Sequence, residues 1–85
     1  MNFPLRANVR TRLVDGEILL LDDETVYVHE LNETGGFVWN LCDGKLSTNE
    51  IAQRFSDEFE VDVVLATNDV IHVVEQLRQL QLITN

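Results

Sequence analysis

Between Val26 and Trp39 the chain changes its periodicity within two residues. Val26-Tyr27-Val28-His29-Glu30-Leu31 is rich in β-branched and aromatic residues, the composition of a strand. Asn32 then offers a helix cap, and Glu33 suits a helix N-terminus. Phe37, Val38, Leu41 and Cys42 recur at i, i+1, i+4 and i+5, which is one helical face. A short strand that runs straight into a helix is placed to lie at the edge of a small sheet. Such a strand presents unpaired N–H and C=O groups, and these can pair with an extended peptide.

The residues before it supply the rest of that sheet. Val9-Arg10-Thr11-Arg12-Leu13-Val14 alternates, with Val9, Thr11 and Leu13 on one face and two arginines on the other. Asp15-Gly16 is a strong two-residue hairpin signal, since both positions tolerate positive φ. Glu17 to Leu21 contains a continuous apolar run, which predicts a central strand covered on both faces. Asp22-Asp23-Glu24-Thr25 is polar and predicts a turn into the third strand. The three strands read as an antiparallel meander in the order one-two-three.

Helices fill the remainder. Gly35 and Gly36 weaken the first helix but permit close approach to the sheet, and Gly44 is expected to stop it at the C′ position. Ser47-Thr48-Asn49-Glu50 reads as a capping box, followed by Ile51, Ala52, Phe55 and Phe59 on one face of a second helix. Asp62 is a candidate cap for a third helix from about Val63 to Leu80, with a break conceivable near Ala66-Thr67-Asn68. Its apolar stripe is Val70, Val73, Val74, Leu77 and Leu80, with Ile71 off the stripe. The expected class is α+β, a three-stranded antiparallel sheet followed by three helices that cover its apolar face. We expect one domain over residues 1–85, with its core between about 9 and 83.

Composition removes several function classes. Fifteen acids against six bases give a net charge of −9, spread along the chain. Nucleic-acid binding needs a basic patch, and residues 62–85 hold Arg78 alone, so a winged-helix DNA binder is disfavoured. A basic or neutral peptide is the more compatible partner. No apolar run approaches the roughly 20 residues that span a bilayer, and residues 1–6 do not resemble a signal peptide. The single Cys42 has no intramolecular disulfide partner, which favours a cytoplasmic protein.

Catalytic signals are equally thin. One cysteine and two histidines, widely spaced, make no metal site, so neither metal nor cofactor is expected. Cys42 reads as a core residue, His29 as structural or groove-lining, and His72 as an exposed helical residue. Ser47 is a cap, and Ser56 lies on a helix surface. Gly35-Gly36 lacks the lysine and spacing of a phosphate loop, and Asp22-Asp23-Glu24 lacks the spacing of an EF-hand. Trp39 reads as an anchor packing the first helix onto the sheet, while Tyr27 can pack its ring and still offer its hydroxyl. The expectation is a chain without catalytic residues.

One family shares this pattern. Leu31-Asn32-Glu33-Thr34-Gly35, then Val38-Trp39, then Leu41-Cys42-Asp43-Gly44, with the Leu82-Ile83 ending, resembles the PqqD-like family of recognition elements for ribosomally made, modified peptides. The resemblance implies a winged-helix-like fold and no catalysis by the domain itself. It implies that a precursor's leader peptide docks as an added strand against the third strand, in a groove closed by the third helix. Free-standing members of this length resemble two groups. One delivers a lasso-peptide precursor to a leader peptidase. The other acts as a peptide chaperone, presenting its precursor to a radical enzyme in pyrroloquinoline quinone synthesis. The junction here looks closer to the lasso type. On that footing Val26, Tyr27, Val28, His29 and Glu30 are expected to pair with the guest. Val73, Val74 and Leu77 would form the helical wall with Val70 at one end, and Asp69 and Arg78 would meet charged guest residues. The domain is expected to be a monomer or a weak homodimer, because free edges can also pair with themselves.

Overall fold

The computed structural model describes residues 3–22 and 27–85 of the 85-residue chain. Three strands are followed by three helices: β1 (Arg10–Val14), β2 (Glu17–Asp22), β3 (Tyr27–Leu31), α1 (Glu33–Leu41), α2 (Thr48–Phe59) and α3 (Val63–Gln79). The strands form an antiparallel sheet in the order β1-β2-β3. This is the α+β arrangement that the sequence predicts. Asp23, Glu24 and Thr25 of the expected turn, and Val26, lie outside the described residues.

The β1–β2 hairpin turns through Asp15 and Gly16, both at positive φ (52° and 81°), the geometry that matches strand twist. Its register pairs Leu13 with Ile18 and Arg12 with Leu19, while β2 and β3 pair Ile18 with Leu31 and Leu20 with His29. Because side chains alternate, Ile18, Leu20, His29 and Leu31 share the face toward the helices. Arg12, Glu17, Leu19, Val28 and Glu30 share the opposite face.

The helical layer sits over β2 and β3 and not over β1. This corrects two sequence readings. Every residue of β1 is exposed, including Leu13 on the supposed inner face, because the strand projects as a wing beyond the reach of α1. The central strand β2 is covered on one face, not both. Leu20 is fully buried against the helices, whereas Leu19 and Leu21 are half-buried on the open side.

Each helix starts on a side chain that satisfies an orphan backbone donor. Asn32 accepts from the Gly35 N–H at 2.8 Å. Ser47 and Glu50 form the reciprocal capping box, at 3.1 and 2.9 Å. Asp62 accepts from the Val64 N–H at 2.8 Å, and α3 then runs unbroken through Ala66–Asn68. Gly36 allows α1 to approach the sheet, since a Cβ there would lie 3.0 Å from Ile18 Cδ1. Gly44 does not hold the C′ position expected of it. Cys42 is the C-cap of α1, and Gly44, two residues on at φ +80°, donates its N–H to the Pro4 carbonyl instead.

The core lies where α1, α2 and α3 converge under Leu20. Val38, Trp39, Ile51, Phe55, Val70, Val74 and Leu82 are among its buried members. Phe37, Phe55 and Phe59 pack ring on ring with centroids 4.7 to 6.1 Å apart. A further tie has no periodic signal in the sequence. Leu5 bridges Asp43, Arg6 bridges Ile83, and the Arg6 guanidinium donates to the Trp39 and Asn40 carbonyls at the end of α1.

Candidate functional site

β3 has a neighbouring strand only on the β2 side among the described residues. Beside it lies a cleft of about 690 Å³. Glu17, Glu30 and Leu31 line its sheet end, Asn32, Thr34 and Gly35 its neck, and Val73, Gln76, Leu77, Gln79 and Leu80 its helical wall. The neck is held open by the α1 cap: Asn32 Oδ1 accepts from both the Gly35 N–H and the Thr34 hydroxyl. A Cβ on Gly35 would stand 3.1 Å from that same oxygen, so glycine preserves the cap. The result is a strand edge and a partly apolar wall with neutral polar groups between them.

The structure brings together some of the residues singled out from the sequence and separates others. Glu30, Val73 and Leu77 line the cleft. Val28 is exposed on the open face of the sheet, while His29 is half-buried on the helix-facing side. Val26 and the side chain of Tyr27 lie outside the described residues. Val70 and Val74 are 0% and 2% exposed in the core and do not line the cleft. Asp69 is exposed on α3, farther toward its N-terminus than the cleft wall. Arg78 is held by Glu75 and donates to the Asn85 carbonyl at 2.7 Å, so its charge is engaged away from the cleft. Gln76, Gln79 and Leu80 were not singled out as site residues, although they follow Val73 and Leu77 at helical spacing. Glu17 enters through the β2–β3 register, which brings it diagonally to Glu30.

Glu17 and Glu30 share a side-chain hydrogen bond. That bond, then the charge of Glu30, desolvation and, least, the charge of Asp15 push the Glu17 carboxyl above its ordinary value of 4.5. Burial pushes the Cys42 thiol up to about 11, and it donates to the Val38 carbonyl at 3.2 Å, so it stays protonated at neutral pH. Among the described residues no group of three or more His, Cys, Asp or Glu could hold a metal ion, and no helix is long and apolar enough to cross a membrane.

The family model described as Coenzyme PQQ synthesis protein D (PqqD) matches residues 17–83. Among solved structures, TbiB1 in complex with the TbiA(beta) leader peptide is 22% identical, covers 95% of both chains and superposes with a TM-score of 0.84. A lasso peptide synthetase B1 complexed with the leader peptide is 24% identical over 93% of this chain and 92% of that one, with a TM-score of 0.79. At these identities the likeness is one of fold. No curated protein matches.

Proposed function

This chain belongs to the PqqD family, and we propose that it is a non-catalytic recognition domain for the leader segment of a precursor peptide. The leader adds to β3 as a further strand, and its alternate side chains enter the cleft against α3. The observation that carries this reading is the unpartnered side of β3 beside that cleft. Main-chain pairing supplies affinity with little regard to sequence, and the wall of Val73, Leu77 and Leu80 supplies selectivity. A micromolar to nanomolar complex corresponds to about −8 to −12 kcal/mol, within reach of a short strand with two anchored side chains. A free leader is disordered and loses chain entropy on docking, which keeps the complex reversible. The guest-pairing set is then Tyr27 to Glu30, with Val26 at its outer end; Asp69 is available to guest residues that extend past the cleft.

The domain then presents the bound precursor to a separate processing enzyme. The fold likeness to two proteins solved with leader peptides, one of them a lasso peptide synthetase B1, supports a leader peptidase as that enzyme. The family description favours a second reading, delivery to a radical enzyme of pyrroloquinoline quinone synthesis. Pull-down with each candidate enzyme, with and without the precursor, separates the two. A net charge of −9 argues against a nucleic-acid partner.

The binding test uses proline at two successive β3 positions. Successive N–H groups in a strand point to opposite edges, so of Val28→Pro and His29→Pro one strikes the β2 pairing and the other the open edge. The fluorescein-labelled leader of the precursor encoded beside this gene is titrated against both, and against Val73→Glu. Loss of binding in a folded proline variant and in Val73→Glu is the expected result. Unchanged affinity in all folded variants removes the groove.

A further inference from the structure

The cleft has a one-sided charge. Among the described residues its charged lining is Glu17 and Glu30, both at the sheet end, while the neck and the helical wall contribute neutral side chains and no lysine or arginine. The cations nearest in the fold are otherwise placed. Arg78, on α3, meets Glu75 through Nη1 and the Asn85 carbonyl through Nε, while its buried Nη2 has no hydrogen-bond partner, and it does not line the cleft. Arg12 lies on the same open face of the sheet across from Leu19, and among the described residues it makes no ion pair with Glu17 or Glu30. Asp15 adds a further negative charge in the hairpin turn. Two like charges in diagonal register on a sheet repel. A cation placed between them relieves that repulsion and completes a groove whose remaining surface is apolar or neutral.

Resting on the reading of this cleft as a peptide groove, we propose that it selects a leader segment carrying a lysine or arginine, whose cation sits between the carboxylates of Glu17 and Glu30. The strand direction places that residue within the guest. β3 runs from Tyr27 toward Leu31, so the glutamates lie at its C-terminal end. An antiparallel guest, the more stable pairing, brings the N-terminal part of its bound stretch there. The basic residue therefore lies in the N-terminal part of the bound stretch. A cation favours the ionised Glu17 carboxylate, so it competes with the proton that Glu30 helps Glu17 to hold. Affinity then rises with pH through the acid range in which Glu17 deprotonates; Glu30 and Asp15 raise that range, Arg10 and Arg12 share the same face of the sheet, and among the described residues the α1 neck and the α3 wall contribute no titratable group to the cleft lining.

The test is fluorescence anisotropy with the labelled leader of the neighbouring precursor and a set in which each Lys or Arg in turn is replaced by norleucine. One replacement, in the N-terminal part of the bound stretch, is expected to weaken binding to the wild-type chain and to have no further effect on Glu17→Gln/Glu30→Gln. The double variant itself should lose about five- to ten-fold in affinity at low salt, with most of that difference gone at high salt, as for partly exposed charges. Glu30→Lys should recover binding when the critical guest residue is made glutamate. If the wild-type chain binds the leader and the double variant binds every peptide equally well, the charge selection is wrong and the groove stands. A leader that binds tightly without any basic residue overturns the charge selection in the same way. If the folded wild-type chain binds no leader at all, the groove itself falls, and this proposal falls with it.

Discussion

Val73 and Val74 are the same residue type at adjacent positions of α3, yet they face different surroundings. Val74 is 2% exposed and sits with Val70 in the core. Val73 is half-buried and forms part of the cleft wall with Gln76 and Leu80. One step along a helix rotates a side chain by about 100°, enough to carry it from the core-facing surface to the cleft-facing one. α3 therefore has two sides with different surroundings: one is covered by the protein's own helices, and the other, with Val73 and Leu80 beside Gln76 and Gln79, lines the cleft proposed for a guest.

Truncating one valine at a time breaks that comparison most directly. Val74→Ala removes two fully buried carbons and leaves a void. It is expected to cost about 2 kcal/mol, at roughly 0.8 kcal/mol per methylene plus a cavity contribution. Thermal or urea unfolding measures the loss, and the fraction that remains folded should bind the leader with unchanged affinity. Reduced affinity in the folded fraction would show that the core surface also reads the guest.

The support for the core surface is next in size. α2, which packs along α3, begins on the Ser47–Glu50 capping box. Ser47→Ala leaves the Glu50 N–H without its acceptor and is expected to cost about 1 kcal/mol of stability. Leader affinity should not change, because neither residue lines the cleft. Val73→Ala is the converse. We expect a stability change of no more than about 0.5 kcal/mol, as for other partly exposed positions, together with a several-fold weaker complex measured by calorimetry.

What the sequence makes legible follows the range of the interactions involved. The Asp15-Gly16 hairpin and the Asn32, Ser47 and Asp62 caps are read correctly because each is decided within four residues. The stripe Val70, Val73, Val74, Leu77 and Leu80 is also legible, but a period of 3.6 says only that these residues share one side of a helix. Where α2 sits decides which of them are covered, and that contact is tertiary. Glu17 carries no local signal for a similar reason, since its position beside Glu30 depends on the β2–β3 register. The wing position of β1 and the pinning of Leu5 and Arg6 to Asp43 and Ile83 depend on contacts with no periodic signature.

The smallest expected effect is also the one that best separates folding from binding. In the folded chain Glu17 holds its proton more tightly than an unperturbed carboxyl at 4.5, through its hydrogen bond to Glu30 and the repulsion of that residue's charge. Its contribution to stability is therefore full below the unfolded-state value and is lost as pH rises through the raised folded-state value. Glu17→Gln removes that dependence. Its melting temperature should match the wild type near pH 3, where glutamate is protonated and resembles glutamine, and should exceed it slightly near pH 7. The same substitution should weaken leader binding near pH 7, so a small gain in stability would accompany a loss of affinity. Opposite signs from one side chain are expected if the carboxylate is kept for a guest; a loss of both would instead make Glu17 part of the scaffold.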